Sequence, residues 1–455
     1  MVFLRMRSHA LGMVILIALF VLPLEAIGQQ QRMSFLRDAE TEALIREIGA
    51  PIFRAAGLNA AAIDIYLVDS PSLNAFVTGG QNIFFNTGMF THTESVAELL
   101  GVLAHEAGHI AGGHLARGQD AIETASRAAL LTTLLGVAAA IAAQDAGLGA
   151  AVVAGGNATA QNTFLSFSRA MESAADQAAL TYLENTGLPA TGLLTFMERL
   201  EDQELLPASQ QVEYTRTHPL SRDRVDTIRR HVERSRVRPD AIPAGWDVRF
   251  ERVQAKLVGY QNPVSALRLY PASNLSIAAR YGRSVALWRR GRVDESLALL
   301  EQLSAQEPAN PFFNELIGQI RFEEGDVQAA RPYYERALAQ RPNEAQFLMM
   351  LGQIRLAGGA PDDLSAAVGL LGQASRAPGG ATPLTYRLLA TAHGRMGNLP
   401  MANLFLAEEA FTRRDYALAR EMAERAVAAL PQGSAGHQRA LDIVFLAERG
   451  LSRSR

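Results

Sequence analysis

Apolar residues along this chain change period several times, and each period predicts a different element. Leu36, Leu44, Ile45, Ile48 and Ile52 fall on one side of an amphipathic helix expected from Ser34 to Ala56. Strict alternation then takes over. Ile63 to Val68, Asn74 to Thr78 and Gln81 to Asn86 read as short strands, the last two joined into a hairpin at Gly79-Gly80. Leu99, Leu100, Val102 and Leu103 return to helical spacing, and Ser95 with Glu98 three residues later supplies the start signal for that helix. From 128 to 160 almost every residue is apolar or small, with Asp145 between the two halves. Each half is shorter than the ~20 residues that span a bilayer. The pattern predicts a helical hairpin or flap that offers peripheral contact to a membrane or a partner, with a buried core hairpin as the alternative.

Beyond residue 275 the chain repeats itself. Gly291, Gly325 and Gly359 are spaced by 34, as are Pro308 and Pro342, and GRVDESLALLEQLSAQEP aligns with GDVQAARPYYERALAQRP. That period and residue placement predict tetratricopeptide repeats, helix pairs that bury their apolar faces only against their neighbours. Three repeats can be followed, with a weaker continuation from Ala410 to Pro431. Stacked pairs form a groove for a protein segment, so this half is expected to bind a partner or substrate. Residues Arg238 to Asn274 carry Pro239, Pro243, Pro263 and Pro271 and read as a linker with a short helix around Val248 to Leu257. At the other end, Arg5 and Arg7 precede the apolar run from Ala10 to Leu22, and Ala26-Ile27-Gly28 offers small residues for cleavage. This is the pattern of a secretory signal peptide and points to the periplasm. The expected organisation is a signal peptide over 1–28, a mainly helical α+β domain with a small sheet over 29–235, a linker over 236–275 and an all-α repeat solenoid over 276–455.

Composition narrows the chemistry. The chain has 455 residues, a net charge of −3 and no cysteine. Disulfides and thiolate metal ligands are excluded, and nothing suggests a nucleic-acid partner. Lys256 is the single lysine; the arginines are spread along the chain with acids between them.

The densest chemistry is His105-Glu106-Ala107-Gly108-His109. On a helix at 100° per residue the two imidazoles lie about 40° apart and can share a divalent cation, preferably Zn2+, while Glu106 beside them serves as base. A catalytic site of this type needs a third protein ligand. Position 115 is Leu115 and His114 falls one residue short, so an HExxHxxGxxH reading fails. His114 is left to support the pair or to cap the helix end. In Ser168-Arg-Ala-Met-Glu-Ser-Ala-Ala-Asp176, Glu172 and Asp176 share a helix face. Glu172 is the expected third ligand and Asp176 the group that fixes a ligand's ring N–H; a solvated acidic face is the alternative. The hairpin near this motif can pair its backbone with an extended peptide, or can be structural only.

The segments NAFVTGGQNIFFNTGMF, LLGVLAHEAGHIAGGHLAR, SRAMESAADQAAL and HPLSRDRV together resemble the HtpX-like gluzincin metalloproteases, in particular periplasmic members with helical repeats behind the catalytic domain. The resemblance implies one zinc ion held by His105, His109 and Glu172, with Glu106 as catalytic acid and base. It further implies that His218 can occupy the metal's fourth position and hold the enzyme inactive; by spacing alone His218, ahead of Pro219, is an exposed loop histidine. The implied substrates are misfolded or stalled outer-membrane β-barrel proteins, and the implied partner is the barrel assembly machinery. The competing expectation is a chaperone or assembly factor whose protease is mostly latent.

Overall fold

A computed structural model describes residues 34–78, 80–118, 120, 154, 168–201, 206–207 and 211–453. The expected signal peptide lies outside these residues, and so, Ala154 apart, does the apolar stretch 128–160. The described residues open with a short strand, β1 (Phe35–Leu36), where the helix was expected to have started. Helix α1 runs from Ala39 to Ala55, because Asp38 caps it by accepting the Thr41 N–H at 2.7 Å. The apolar period that placed Leu36 on the helix face thus overran its true start. Strands β2 (Asp64–Val68), β3 (Ala75–Thr78) and β4 (Asn82–Asn86) follow, each within a residue of its expected start. The sheet order is β1-β2-β4-β3. β2 and β4 are parallel and β3 and β4 form an antiparallel hairpin in which Ala75 faces Phe85 and Thr78 faces Asn82. Gly80 at its turn has φ +104°, open to glycine and strained for other residues. Ile65, Leu67, Ala75, Val77, Ile83 and Phe85 point into the core, while Tyr66, Phe84 and Phe76 stack side by side on the opposite face with Phe35 tilted against Tyr66.

After α2 (Thr87–His92), helix α3 (Val96–Ala111) starts where the sequence signal puts it, with the Ser95 hydroxyl accepting the Glu98 N–H. α3 is buried along nearly its whole length, so its all-round apolar character reflects a central position rather than a membrane span. Residues 168–186 form helix α4, followed by α5 (Thr191–Glu201), α6 (Glu213–Thr217) and α7 (Arg222–Arg234). Two glycines let these helices touch α3 backbone to backbone. A Cβ on Gly108 would lie 2.8 Å from the Ala175 carbonyl oxygen of α4, and one on Gly101 would lie 2.6 Å from Leu193 Cα of α5.

The proline-bearing segment between the two halves is folded and integrated. Helix α8 (Trp246–Gln261) extends past the expected Val248 to Leu257 at both ends, and Trp246, Phe250, Val253 and Leu257 enter the same core as α3 and the sheet. Pro243 and Pro263 flank α8 rather than interrupting it, which suits proline's tolerance at helix edges. α9 (Pro263–Leu269) leads into the repeats: α10 (Ile277–Arg289), α11 (Val293–Gln306), α12 (Pro311–Glu323), α13 (Val327–Gln340), α14 (Ala345–Gly358), α15 (Pro361–Arg376), α16 (Pro383–Arg395), α17 (Leu399–Thr412), α18 (Tyr416–Ala429) and α19 (Ala435–Arg453). Each packs on its predecessor, and the glycines of the 34-residue period sit at left-handed turns, with φ between +74° and +84°.

Helix α1 joins the two halves. Ile45, Ile48 and Ile52 face the α3 core, whereas Ala39 and Ala43 pack on Phe312, Ala337 and Phe347 of the repeats. Polar groups reinforce this seam. Tyr281 Oη donates to Glu40 at 2.9 Å, Gln346 Nε2 donates to Glu42 at 3.0 Å, and buried Lys256 pairs with Asp38. Among the described residues no helix is long and apolar enough to cross a membrane.

Candidate metal centre

Four side chains from three elements converge beneath the sheet edge. His105 and His109 come from α3, Glu172 from α4, and His218 from the C-terminal cap of α6, with φ −124° and ψ 79°. All four are buried; His218, an exposed loop histidine by spacing, is only 5% exposed. His109 Nε2 lies 3.0 Å from His105 Nε2, and Glu172 lies 3.3 Å from each of these nitrogens. His218 Nδ1 lies 3.3 Å from both His105 Nε2 and Glu172 Oε2.

These separations fit a shared cation. Donors placed tetrahedrally around zinc at about 2.0–2.1 Å stand roughly 3.3 Å apart. Two of the rings already have their other nitrogen engaged by an acceptor. His105 Nδ1 donates to Asp176 Oδ1 at 2.9 Å, and His218 Nε2 donates to the Ala75 carbonyl at 3.1 Å. His109 Nδ1 faces His114 Nδ1 at 3.0 Å, so His114 supports the pair from behind. The remaining nitrogens crowd one another and the Glu172 oxygens, a set of donor atoms that a cation can take up together.

Asp176 is in turn held by an arginine that the sequence reading missed. Arg224 of α7 donates through Nε to Asp176 Oδ2 at 2.6 Å and through Nη2 to Oδ1 at 2.9 Å, and its Nη1 lies 3.2 Å from Glu172 Oε2. Arg224 follows His218 within the HPLSRDRV run, and only its 5% exposure sets it apart from the surface arginines around it.

Charge is distributed unevenly here. Burial pushes Glu172 upward, but the His218 charge and hydrogen bonds to His105, His109 and His218 outweigh it and hold the carboxyl well below its usual range. Burial opposes a charge on His105, yet the hydrogen bonds to Asp176 and Glu172 prevail and raise it to about 10. His109 goes the other way, pushed down to about 3 mainly by burial. A site with ionised carboxylates and closely spaced imidazoles favours an added positive charge.

Glu106 is different in kind. It is fully buried, both carboxylate oxygens lack a hydrogen-bond partner, and the nearest cationic group is His218 Nε2 at 3.5 Å. Burial raises its proton affinity. A buried acid left unsatisfied beside a donor cluster is poised to take up and release a proton.

Residues 36–232 match the family model described as peptidase family M48, and residues 316–380 match a tetratricopeptide repeat. A protein of Yersinia pestis named beta-barrel assembly-enhancing protease is 29% identical over 313 residues, 67% of this chain and 63% of that protein. The Escherichia coli protein of the same name is 28% identical over 309 residues, 66% of this chain and 61% of its own length. These alignments span less than two thirds of either relative. A solved structure, MamA 41-end from Desulfovibrio magneticus RS-1, aligns at 19% identity with a TM-score of 0.30, over 40% of this chain and 99% of that one. Residues 36–232 are thus similar to peptidase family M48, and a tetratricopeptide-repeat match follows behind that domain.

Proposed function

We propose that this chain is a zinc-dependent endopeptidase, exported to the periplasm by residues 1–28, that degrades misfolded or stalled outer-membrane β-barrel proteins and assists their assembly. The convergence of His105, His109 and Glu172 supports this reading most directly. Those three residues hold the ion, Asp176 keeps His105 in the tautomer that presents Nε2, and Arg224 keeps Asp176 ionised and in place. Zinc, when bound, supplies the Lewis acidity that polarises a scissile carbonyl and acidifies water. Glu106 takes the proton from the attacking water and returns it to the leaving amine, a role that its unpaired, buried carboxylate suits. The repeats bind the substrate or the barrel assembly machinery, in line with the names of the relatives.

One observation favours a second reading alongside the first. His218 Nδ1 already stands among the donors, as a fourth ligand would, so the resting protein is a latent protease in which assembly functions dominate until His218 leaves. The test of the enzyme reading is Glu106→Gln. The variant should keep its zinc content and lose cleavage of an unfolded barrel protein by about a hundredfold or more. Undiminished cleavage would remove Glu106 from the mechanism.

A further inference from the structure

Helix α6 carries His218 into the site, yet at five residues it is too short to hold itself in place, and Val212 at its start provides no side-chain cap. Its position is therefore set by what grips it. Tyr214 is gripped by packing: its ring lies 5.0 Å from Phe196 and stacks on His218 at 4.7 Å, and its N–H donates to the Leu73 carbonyl at 3.1 Å. The polar grip is concentrated on one carboxylate. Glu213 Oε2 accepts from Ser72 Oγ at 2.5 Å and from Asn86 Nδ2 at 3.3 Å, and Oε1 accepts from Asn74 Nδ2 at 3.0 Å. Asn74 also reaches the far end of the same helix, where its Oδ1 accepts from Thr217 Oγ1 at 3.1 Å. Ser72 and Asn74 stand just before β3, and Asn86 ends β4, so the gripping groups belong to the two strands of the hairpin. Asn74 and Asn86 are themselves buried; losing the carboxylate would remove the acceptor of the Asn74 amide and leave the Asn86 amide with Ser72 Oγ.

We infer that Glu213 is a positioning residue, the peg by which the hairpin holds α6 and keeps His218 against the metal centre. The inference rests on the reading of His218 as fourth ligand. Glu213 does not reach the donors. It acts only by fixing the closed position, so weakening it shifts the population toward His218 withdrawn and the site open. An amide in its place cannot accept from all three donors, since one end of it is itself a donor.

The test uses the full-length holoprotein with cobalt(II) replacing zinc. Its visible absorption reports the number of nitrogen ligands, and hydrolysis of fluorescently labelled casein, an unfolded chain, reports the open site. Glu213→Gln and Glu213→Ala should shift the spectrum in the same direction as His218→Ala and raise casein cleavage on the order of tenfold, as expected for loss of charge-assisted hydrogen bonds. Thr217→Val, which cuts the link to Asn74 along with the hydroxyl's contacts to the Glu213 and Tyr214 carbonyls of α6 but keeps the Glu213 carboxylate, should move both signals the same way but less. If His218→Ala leaves the spectrum unchanged, the fourth-ligand reading itself fails. If His218→Ala shifts the spectrum while both Glu213 variants keep the wild-type spectrum and rate, or if they lose activity with the spectrum unmoved, the peg is overturned. A Glu213→Ala chain too unstable to purify leaves the decision to Glu213→Gln and Thr217→Val, whose shapes match the originals.

Discussion

Replacing Asp176 by Asn probes the support behind the metal centre without removing any donor from it. Asp176 is 2% exposed and receives three hydrogen bonds, one from His105 Nδ1 and two from Arg224. Asparagine keeps the shape but removes the charge and turns one acceptor into a donor, so His105 loses its fixed tautomer or Arg224 loses half of its fork. Losing such an outer partner weakens metal binding by 10–100-fold in general, which is about 1.4–2.7 kcal/mol. A separate cost falls on the metal-free fold, because Arg224 is left buried with Glu172 as its counter-charge and the Pro219 carbonyl as acceptor; breaking a buried pair in this way costs about 3–5 kcal/mol. Zinc competition against a chromophoric chelator reads the first quantity, and urea unfolding of the metal-free protein reads the second. The two should come apart in the double variant Asp176→Asn with Arg224→Met, which removes the stranded charge: stability recovers while zinc affinity stays low. Zinc affinity within twofold of wild type in Asp176→Asn would refute the claim that this carboxylate orients His105.

Two further outcomes are expected away from the metal. Arg414 is the one non-glycine residue with positive φ among those described, at +61°, in a turn whose counterparts are Gly291, Gly325 and Gly397; Arg414→Gly should stabilise the repeats by about 0.5–1 kcal/mol in thermal unfolding. Glu315 is driven mainly by burial from an ordinary 4.5 up to about 7. Its protonated form thus favours the folded state fully below pH 4.5, and that contribution is lost as pH rises through 7. Glu315→Gln should therefore raise stability at pH 8 by on the order of 2 kcal/mol and change little at pH 4; a gain that is equal at both pH values would contradict the assignment.

Local rules made much of this molecule readable from its residues. Ser95 and Glu98 mark the start of α3, the alternating runs mark β2 to β4, and the 34-residue spacing marks the repeats as far as Gly359. Thereafter the period drifts: α15 and the 377–382 loop are each two residues longer than α13 and the 341–344 loop, so Gly397 falls 38 residues after Gly359. Glu172 and Asp176 share a helix face because ExxxD spaces them one turn apart, a pattern that a solvated acidic face would show as well. What stayed hidden was tertiary in origin. The burial of His218 depends on Tyr214 stacking over it and on the Ala75 carbonyl of a distant strand. The importance of Arg224 depends on α7 lying against α4, and an arginine in a polar helix otherwise looks like any solvated charge. In α8 the stripe Trp246, Phe250, Val253 and Leu257 has clear helical spacing, but the core that this face enters is set by tertiary packing and not by the spacing.

The placement of α1 bears on how the protein can be taken apart. A fragment that stops near residue 235 retains every donor of the metal centre, yet it strips α8 from the core and bares Ala39, Ala43 and the carboxylates of Asp38 and Glu40, whose counter-charges Lys256 and Arg252 depart with the missing half. Inactivity of such a truncation would report a ruined scaffold rather than a lost delivery arm, and dissecting the contribution of the solenoid calls for point changes on its outward surfaces instead of scissors.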